Sequence, residues 1–272
     1  MGRGGRRAER VTGLYVYAIV PADTPPTPLG TGIDRAPLEL VAGPGGAAAV
    51  VHEHAGNPYD GADEDVRRWV LEHGDVVERV FDTTGTVLPV SFNVIVAAAE
   101  GAPARDRLRD WLGRSSTQLV GRLGRLRDRV ELRVEIALDP HDVAAGHPDA
   151  RALLAELETR PAGVQRLLRK RLEQLEREVT DALADELYPE YRRRLAALAE
   201  EITENRSART EPGTVAVLTV AVLVARDGMA RVGEELADIQ REQPAARIRY
   251  LGPWPPYSFA DVPALAPGQQ GA

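Results

Sequence analysis

The 272-residue sequence has no cysteine. Disulfides, thiolate chemistry and cysteine-ligated metals are excluded on that ground, and a cytosolic protein fits. Lysine is almost absent too, with Lys170 the only one. Arginine carries the remaining positive charge, which is a bias of composition rather than of chemistry. Aromatic residues make up only 5% of the chain. No apolar run approaches the ~18 residues of a membrane span. Excess positive charge is also lacking, since the formal net charge is −7. General nucleic-acid binding usually needs a basic face, and anionic lipid attracts basic clusters. Neither nucleic acid nor membrane is therefore an expected partner.

Catalytic signatures are missing in the same way. The stretch "GPGGAAA" (43–49) has neither the lysine nor the following helix of a phosphate loop. No G-x-G-x-x-G follows a strand, and no G-x-S-x-G nucleophile elbow occurs. His52 and His54 share one strand face, with Glu53 pointing away between them, and could form half a metal site. No third ligand stands at a diagnostic spacing, so an exposed strand end is the expectation. His73 falls on the apolar stripe of a helix and reads as a hydrogen-bonded core or edge residue. His141 and His147 read as solvated, and the acidic run 63–65 as a helix start. No catalytic residue, cofactor or metal is predicted, and the protein reads as a non-enzyme. A ferredoxin-like small-molecule-binding enzyme domain of the monooxygenase kind remains the alternative. It would need a pocket with convergent polar groups.

What is present fits a soluble globular chain, 43% hydrophobic and 28% charged. "GLYVYAIV" (13–20) alternates and is rich in aromatic and β-branched residues, which predicts a strand. Residues 38–43 and 47–54 predict two more. Val66, Trp69, Val70, His73, Val76, Val77 and Val80 recur at helical spacing after Asp63. "VLPVSFNVIVAA" (87–98) predicts one nearly continuous buried strand, with Pro89 at an edge or bulge. A helix is expected over 104–127. "VELRVEIAL" (130–138) alternates strictly and predicts a half-buried strand.

Residues 149–206 carry leucines at steps of three and four. They predict a helical hairpin bent at Pro189, whose second stripe runs Tyr191, Leu195, Leu198, Ile202. It could pack on itself or the sheet, or protrude as an arm that binds a partner. A strand (214–225), a helix (227–244) and a strand (246–252) follow. The expected class is α+β with two domains, the second ferredoxin-like with a long helical hairpin insertion. The expected layout is a disordered tail 1–12, an N-terminal α+β domain 13–100, a ferredoxin-like domain 101–260 with the insertion at about 150–206, and a flexible tail 261–272.

The scarce aromatics concentrate in "GPWPPYSF" (252–259). Proline fixes φ and restricts the preceding residue, so the segment is stiff and loses little entropy on ordering. Trp254, Pro255, Pro256, Tyr257 and Phe259 are the candidate patch. They either close a domain or display Trp254 and Tyr257 to a partner.

Four stretches together resemble one family: "LYVYAIVPA" near the start, "VLEHGDVVERVFDTTGTVLPVSFNVIV" (70–96), "GVQRLLRKRLEQ" (163–174), and 218–259, which ends in "GPWPPYSF". The pattern is similar to the gas vesicle GvpL/GvpF proteins over roughly residues 13–260. The chain departs from that pattern after "VLP". Members carry a basic residue followed by "FG", where this chain has Ser91-Phe92-Asn93. The resemblance implies a cytoplasmic, gas-vesicle-associated accessory or minor structural protein. It implies an assembly role exerted by binding, with the hydrophobic wall protein of the GvpA type and other gas vesicle proteins as partners. It also implies two domains, the second a modified ferredoxin-like fold.

Overall fold

The computed structural model describes residues 13–25, 29–54, 57–99, 101–204 and 211–265. The tails predicted at 1–12 and beyond 265 lie outside the described residues. The chain is a mixture of helix and antiparallel sheet that divides into two compact units. One is formed by the chain up to Arg129 together with Trp254 onward, and the other by Val130–Pro253. The division thus falls at 129/130, not near residue 100, because the helices after residue 103 pack on the first sheet.

In the first unit, strand β1 (Gly13–Pro21) is central, and every residue from Gly13 to Val20 is buried. Its apolar and aromatic side chains alternate, so both faces need a cover. Strands β2 (Glu39–Ala42) and β3 (Ala47–His54) lie on one side of it, with β1 and β3 antiparallel from Gly13↔His54 to Pro21↔Ala47. The register shifts between Val16 and Ala18, a bulge that keeps Tyr15 and Tyr17 close together. Helix α1 (Asp63–Thr84) packs on the tyrosine face through His73, Val76, Val77, Val80 and Phe81. It stops at Gly85, whose φ of 67° is the left-handed helix end that glycine tolerates.

The continuous strand expected over 87–98 is instead two short strands, β4 (Leu88–Pro89) and β5 (Ile95–Ala97), both paired with β1. Pro89 has no N–H to extend the ladder, and Asn93 sits at a φ of 70°, so the backbone loops out between them. The helix expected over 104–127 is two, α2 (Ala104–Arg114) and α3 (Ser116–Arg125), separated at Ser115. They contact β1, β2 and β3 and bury Leu108, Trp111, Leu112, Leu119 and Leu123.

The second unit carries a four-stranded sheet in the order β9-β6-β8-β7. Strand β6 (Arg129–Leu138) buries Val130, Leu132, Val134, Ile136 and Leu138, as its alternation predicts. Two helices follow, α4 (Pro140–Ala144) and α5 (Pro148–Thr159), and then α6 (Ala162–Ala196). The chain turns at Arg160-Pro161, not at Pro189. Ala144, Ala150, Leu153, Leu168 and Leu172 form the core between these helices.

Helix α6 runs unbroken for 35 residues with Pro189 inside it. A proline there forfeits one backbone hydrogen bond and crowds the preceding turn. Packing outweighs that loss, since Tyr191 and Leu195 beyond it are buried and Arg194 pairs with Glu235 and Glu242. The expected helical stripe also ends sooner, because Ile202 lies in strand β7 (Glu201–Glu204), antiparallel to β8 (Val215–Ala225). Helix α7 (Met229–Glu242) and strand β9 (Ala246–Trp254) complete the unit. Among the described residues no helix is long and apolar enough to cross a membrane.

Candidate functional site: the carboxy-terminal segment and the tyrosine–histidine face

The proline-aromatic segment continues from β9 and belongs to the first unit from Trp254 onward. Pro255, Pro256, Phe259 and Ala260 are buried, Trp254 is half-buried and Tyr257 is 39% exposed. A 3-10 turn at Tyr257–Phe259 directs the phenyl ring inward. The segment is held by α2 and α3. Trp111 Nε1 donates to the Ala264 carbonyl at 3.1 Å, and Arg122 Nη1 donates to the Ala260 carbonyl at 3.1 Å. Arg122 also pairs with Asp261. Arg122 therefore has a partner far along the chain. Of the candidate residues, Pro255, Pro256 and Phe259 are thus the buried ones, and Trp254 and Tyr257 are partly exposed.

The tyrosine face of β1 holds a second constellation that sequence reading assigned only in pieces. His52 is not an exposed strand end; it is 2% exposed. Its partner residue in the β1–β3 register is Tyr15, which pulls it under α1. Its hydrogen-bond partners fit a neutral ring. The Ile33 amide donates to Tyr17 Oη at 2.8 Å, so the Tyr17 hydroxyl proton is free to go to His52 Nδ1, 2.8 Å away. His52 Nε2 then carries the proton and faces Tyr59 Oη at 3.4 Å.

The same logic repeats beside it. The Asn93 amide donates to Tyr15 Oη at 3.1 Å, and Tyr15 in turn donates to His73 Nδ1 at 2.9 Å. His73 Nε2–H donates to the Val90 carbonyl at 3.0 Å. Both imidazoles are neutral donors at Nε2. Burial holds each histidine down at about 4, with His54 adding to the effect at His52 and Asp34 opposing it. Burial also raises the Tyr15 and Tyr17 phenols well above their usual value, and pushes Tyr59 up to about 12.

Gly32 is required beside this chain, because a Cβ there would lie 2.2 Å from Tyr17 Oη. Asn93, which stands where the family pattern has glycine, keeps the left-handed backbone and adds two bonds. Its Oδ1 accepts from Tyr59 N at 2.8 Å and its Nδ2 donates to Tyr59 O at 2.9 Å. Asp34, also left-handed at φ 52°, accepts from Arg68 Nη1 at 2.7 Å, while its amide donates to Glu72 Oε2 at 3.0 Å. His54 Nε2 meets the Asn57 carbonyl at 2.9 Å.

The remaining histidines lie in the second unit. His141 pairs with Glu176 at 3.4 Å, and His147 Nδ1 accepts from the Asp149 amide at the start of α5. Among the described residues no group of three or more His, Cys, Asp or Glu side chains could hold a metal ion.

Comparison with known proteins agrees with this architecture. The family model described as "Gas vesicle synthesis protein GvpL/GvpF" matches residues 13–261. Gas vesicle protein L2 of Halobacterium salinarum is 33% identical, covering 97% of both chains. Gas vesicle protein L1 of the same organism is 30% identical over 91% of this chain and 90% of its own. The crystal structure of GvpF from Anabaena superposes with a TM-score of 0.66 at 22% identity, over 93% of this chain and 98% of that one. GvpF from Microcystis aeruginosa gives 0.63 at 20% identity, over 92% and 99%. The chain belongs to the GvpL/GvpF family of gas vesicle proteins.

Proposed function

We propose that this protein supports gas vesicle assembly by binding, with the hydrophobic wall protein and other gas vesicle proteins as its partners, and that it catalyses no reaction. The family match across 13–261 carries the reading. The state of the histidines supports the non-enzymatic part. Both ring nitrogens of His52 and His73 are already engaged with tyrosine hydroxyls or backbone, which leaves none to work on a substrate.

The second unit is proposed to be a modified ferredoxin-like domain. Its strand order β9-β6-β8-β7, with α6 between β6 and β7 and α7 between β8 and β9, supports this. Helices α4 and α5 and the first turns of α6 are the insertion. The carboxy-terminal segment is proposed to do both jobs that its composition suggests. Pro255, Pro256 and Phe259 close the first unit, while Tyr257 and the edge of Trp254 face outward for a partner.

A free wall subunit would expose apolar surface and strand edges that associate. A soluble binder that covers them would keep it dispersed. Co-expression with the wall protein tests this. The expected result is wall protein in the soluble fraction, co-purifying with this chain. Wall protein that stays insoluble and uncaptured would refute the proposal.

A further inference from the structure

Residues 254–264 lie on α2 and α3 as a strap. Past the end of β9 the strap forms one 3-10 turn and, among the described residues, no other helix or strand. Pro255, Pro256 and Pro263 lack the N–H that a ladder needs. Two of its amides bond within the strap: Tyr257 N–H donates to the Pro255 carbonyl at 2.8 Å, and Phe259 N–H to the Pro256 carbonyl at 3.2 Å. The bonds from Trp111 and Arg122 reach it from side chains. The first sheet, by contrast, is tied by the β1–β3 ladder from Gly13↔His54 to Pro21↔Ala47. A segment held in this way opens at lower free energy than the sheet it covers.

Burial of Pro255, Pro256, Phe259 and Ala260 favours docking. Other features weaken it. Asp261 sits at φ 38°, a left-handed conformation that costs energy in a residue with a side chain, and release relieves it. The Asp261 side chain is 85% exposed, so its pair with Arg122 is screened by salt. Gly252, exposed and at φ 121°, gives a pivot just ahead of the strap. The prolines keep the freed segment extended, so it loses little entropy when another surface takes it.

We propose that residues 254–264 are a latch. Docked on α2 and α3, they withhold Phe259 and the two prolines before it from other proteins. Released as one piece, with the first sheet intact, they present Trp254-Pro255-Pro256-Tyr257-Ser258-Phe259 to the partner as a single proline-aromatic ligand. Tyr257, 39% exposed in the docked strap, is the handle that a partner meets first. The use of the latch rests on the binding role proposed above, whereas its opening is a property of this chain alone.

The lack of cysteine allows single-thiol probes of the full chain. Ala260→Cys places a thiol where the strap is 2% exposed, and Ala48→Cys places one in β3 where exposure is 1%. Under native conditions Ala260→Cys should react with a thiol reagent at least about a hundredfold faster than Ala48→Cys. Adding Arg122→Ala should speed labelling at 260 about tenfold and leave labelling at 48 unchanged. Hydrogen exchange of the unaltered chain should agree, with the Phe259 amide exchanging well before those of β1. Equal labelling rates at the two positions, or an Arg122→Ala effect of the same size at both, would overturn the latch. On co-expression with the wall protein, Arg122→Ala should capture more of it than the unaltered chain does. Equal capture by the two would overturn the role of release in binding. Capture by neither refutes the function proposed above, while the labelling ratio judges the latch by itself.

Discussion

Tyr15 and Tyr17 decide what His52 and His73 can be. Each hydroxyl accepts from a backbone amide and spends its one proton on an imidazole, so each ring must stay neutral. This has a pH consequence. Both histidines hold protons more weakly in the folded chain, at about 4, than the ordinary 6.5. The unfolded chain therefore binds more protons between those values. Their contribution to stability is complete above pH 6.5, falls as pH drops, and is lost as pH passes through about 4, at up to about 1.4 kcal/mol per pH unit per histidine. The urea midpoint should fall accordingly from pH 7 to pH 4, and less steeply in His73→Gln. A flat profile would contradict the assigned protonation states. Asn93 allows a second test at the same scale. Asn93→Gly keeps the left-handed backbone but loses two hydrogen bonds to Tyr59, and should cost about 1 kcal/mol. Asn93→Ala adds backbone strain and should cost about 2 kcal/mol. Equal losses in chemical denaturation would show that the backbone conformation is not the issue. The departure at Asn93 was legible in the sequence. Its bond to Tyr59 was not, because the two residues meet only through the fold.

Elements were read well where one local pattern decides them. β1, β6 and β8 are alternating or β-branched runs, and each forms where expected. Reading failed where partners distant in sequence decide. Tyr191, Leu195, Leu198 and Ile202 keep helical spacing, yet Ile202 pairs with Val222 in a sheet. Residues 87–98 are mostly apolar, yet only Leu88–Pro89 and Ile95–Ala97 are strands. Proline inside a helix favours a bend at Pro189, yet α6 passes through it. Pro161, which stands just before α6, is where proline suits a helix start. Pro189→Ala would restore the missing amide donor, so it should stabilise the chain by about 1–2 kcal/mol in denaturant unfolding. Unchanged or lower stability would mean that α6 needs the proline to place Tyr191 and Arg194.

At the scale of the molecule, the two compact units are not consecutive in sequence. The first is completed by the chain from Trp254 onward, held by Trp111 and Arg122. Composition marked this segment as unusual, but these contacts, 153 and 138 residues apart in sequence, could not be read from local pattern. Phe259→Ala should cost about 3–4 kcal/mol in thermal or chemical unfolding, as loss of a buried aromatic does. Tyr257→Ala, at a ring 39% exposed, should cost clearly less. If the two variants were equally destabilised, the reading of Phe259 as the anchor of this segment would be wrong. The central claim is that the chain acts by holding other gas vesicle proteins. Affinity capture from cells expressing the whole gas vesicle gene set, with the captured proteins identified by mass spectrometry, tests it most directly. The account predicts wall protein and other gas vesicle proteins in the eluate, with less wall protein when Trp254 and Tyr257 are both alanine and the chain remains folded. Recovery of this chain alone from vesicle-producing cells would contradict it.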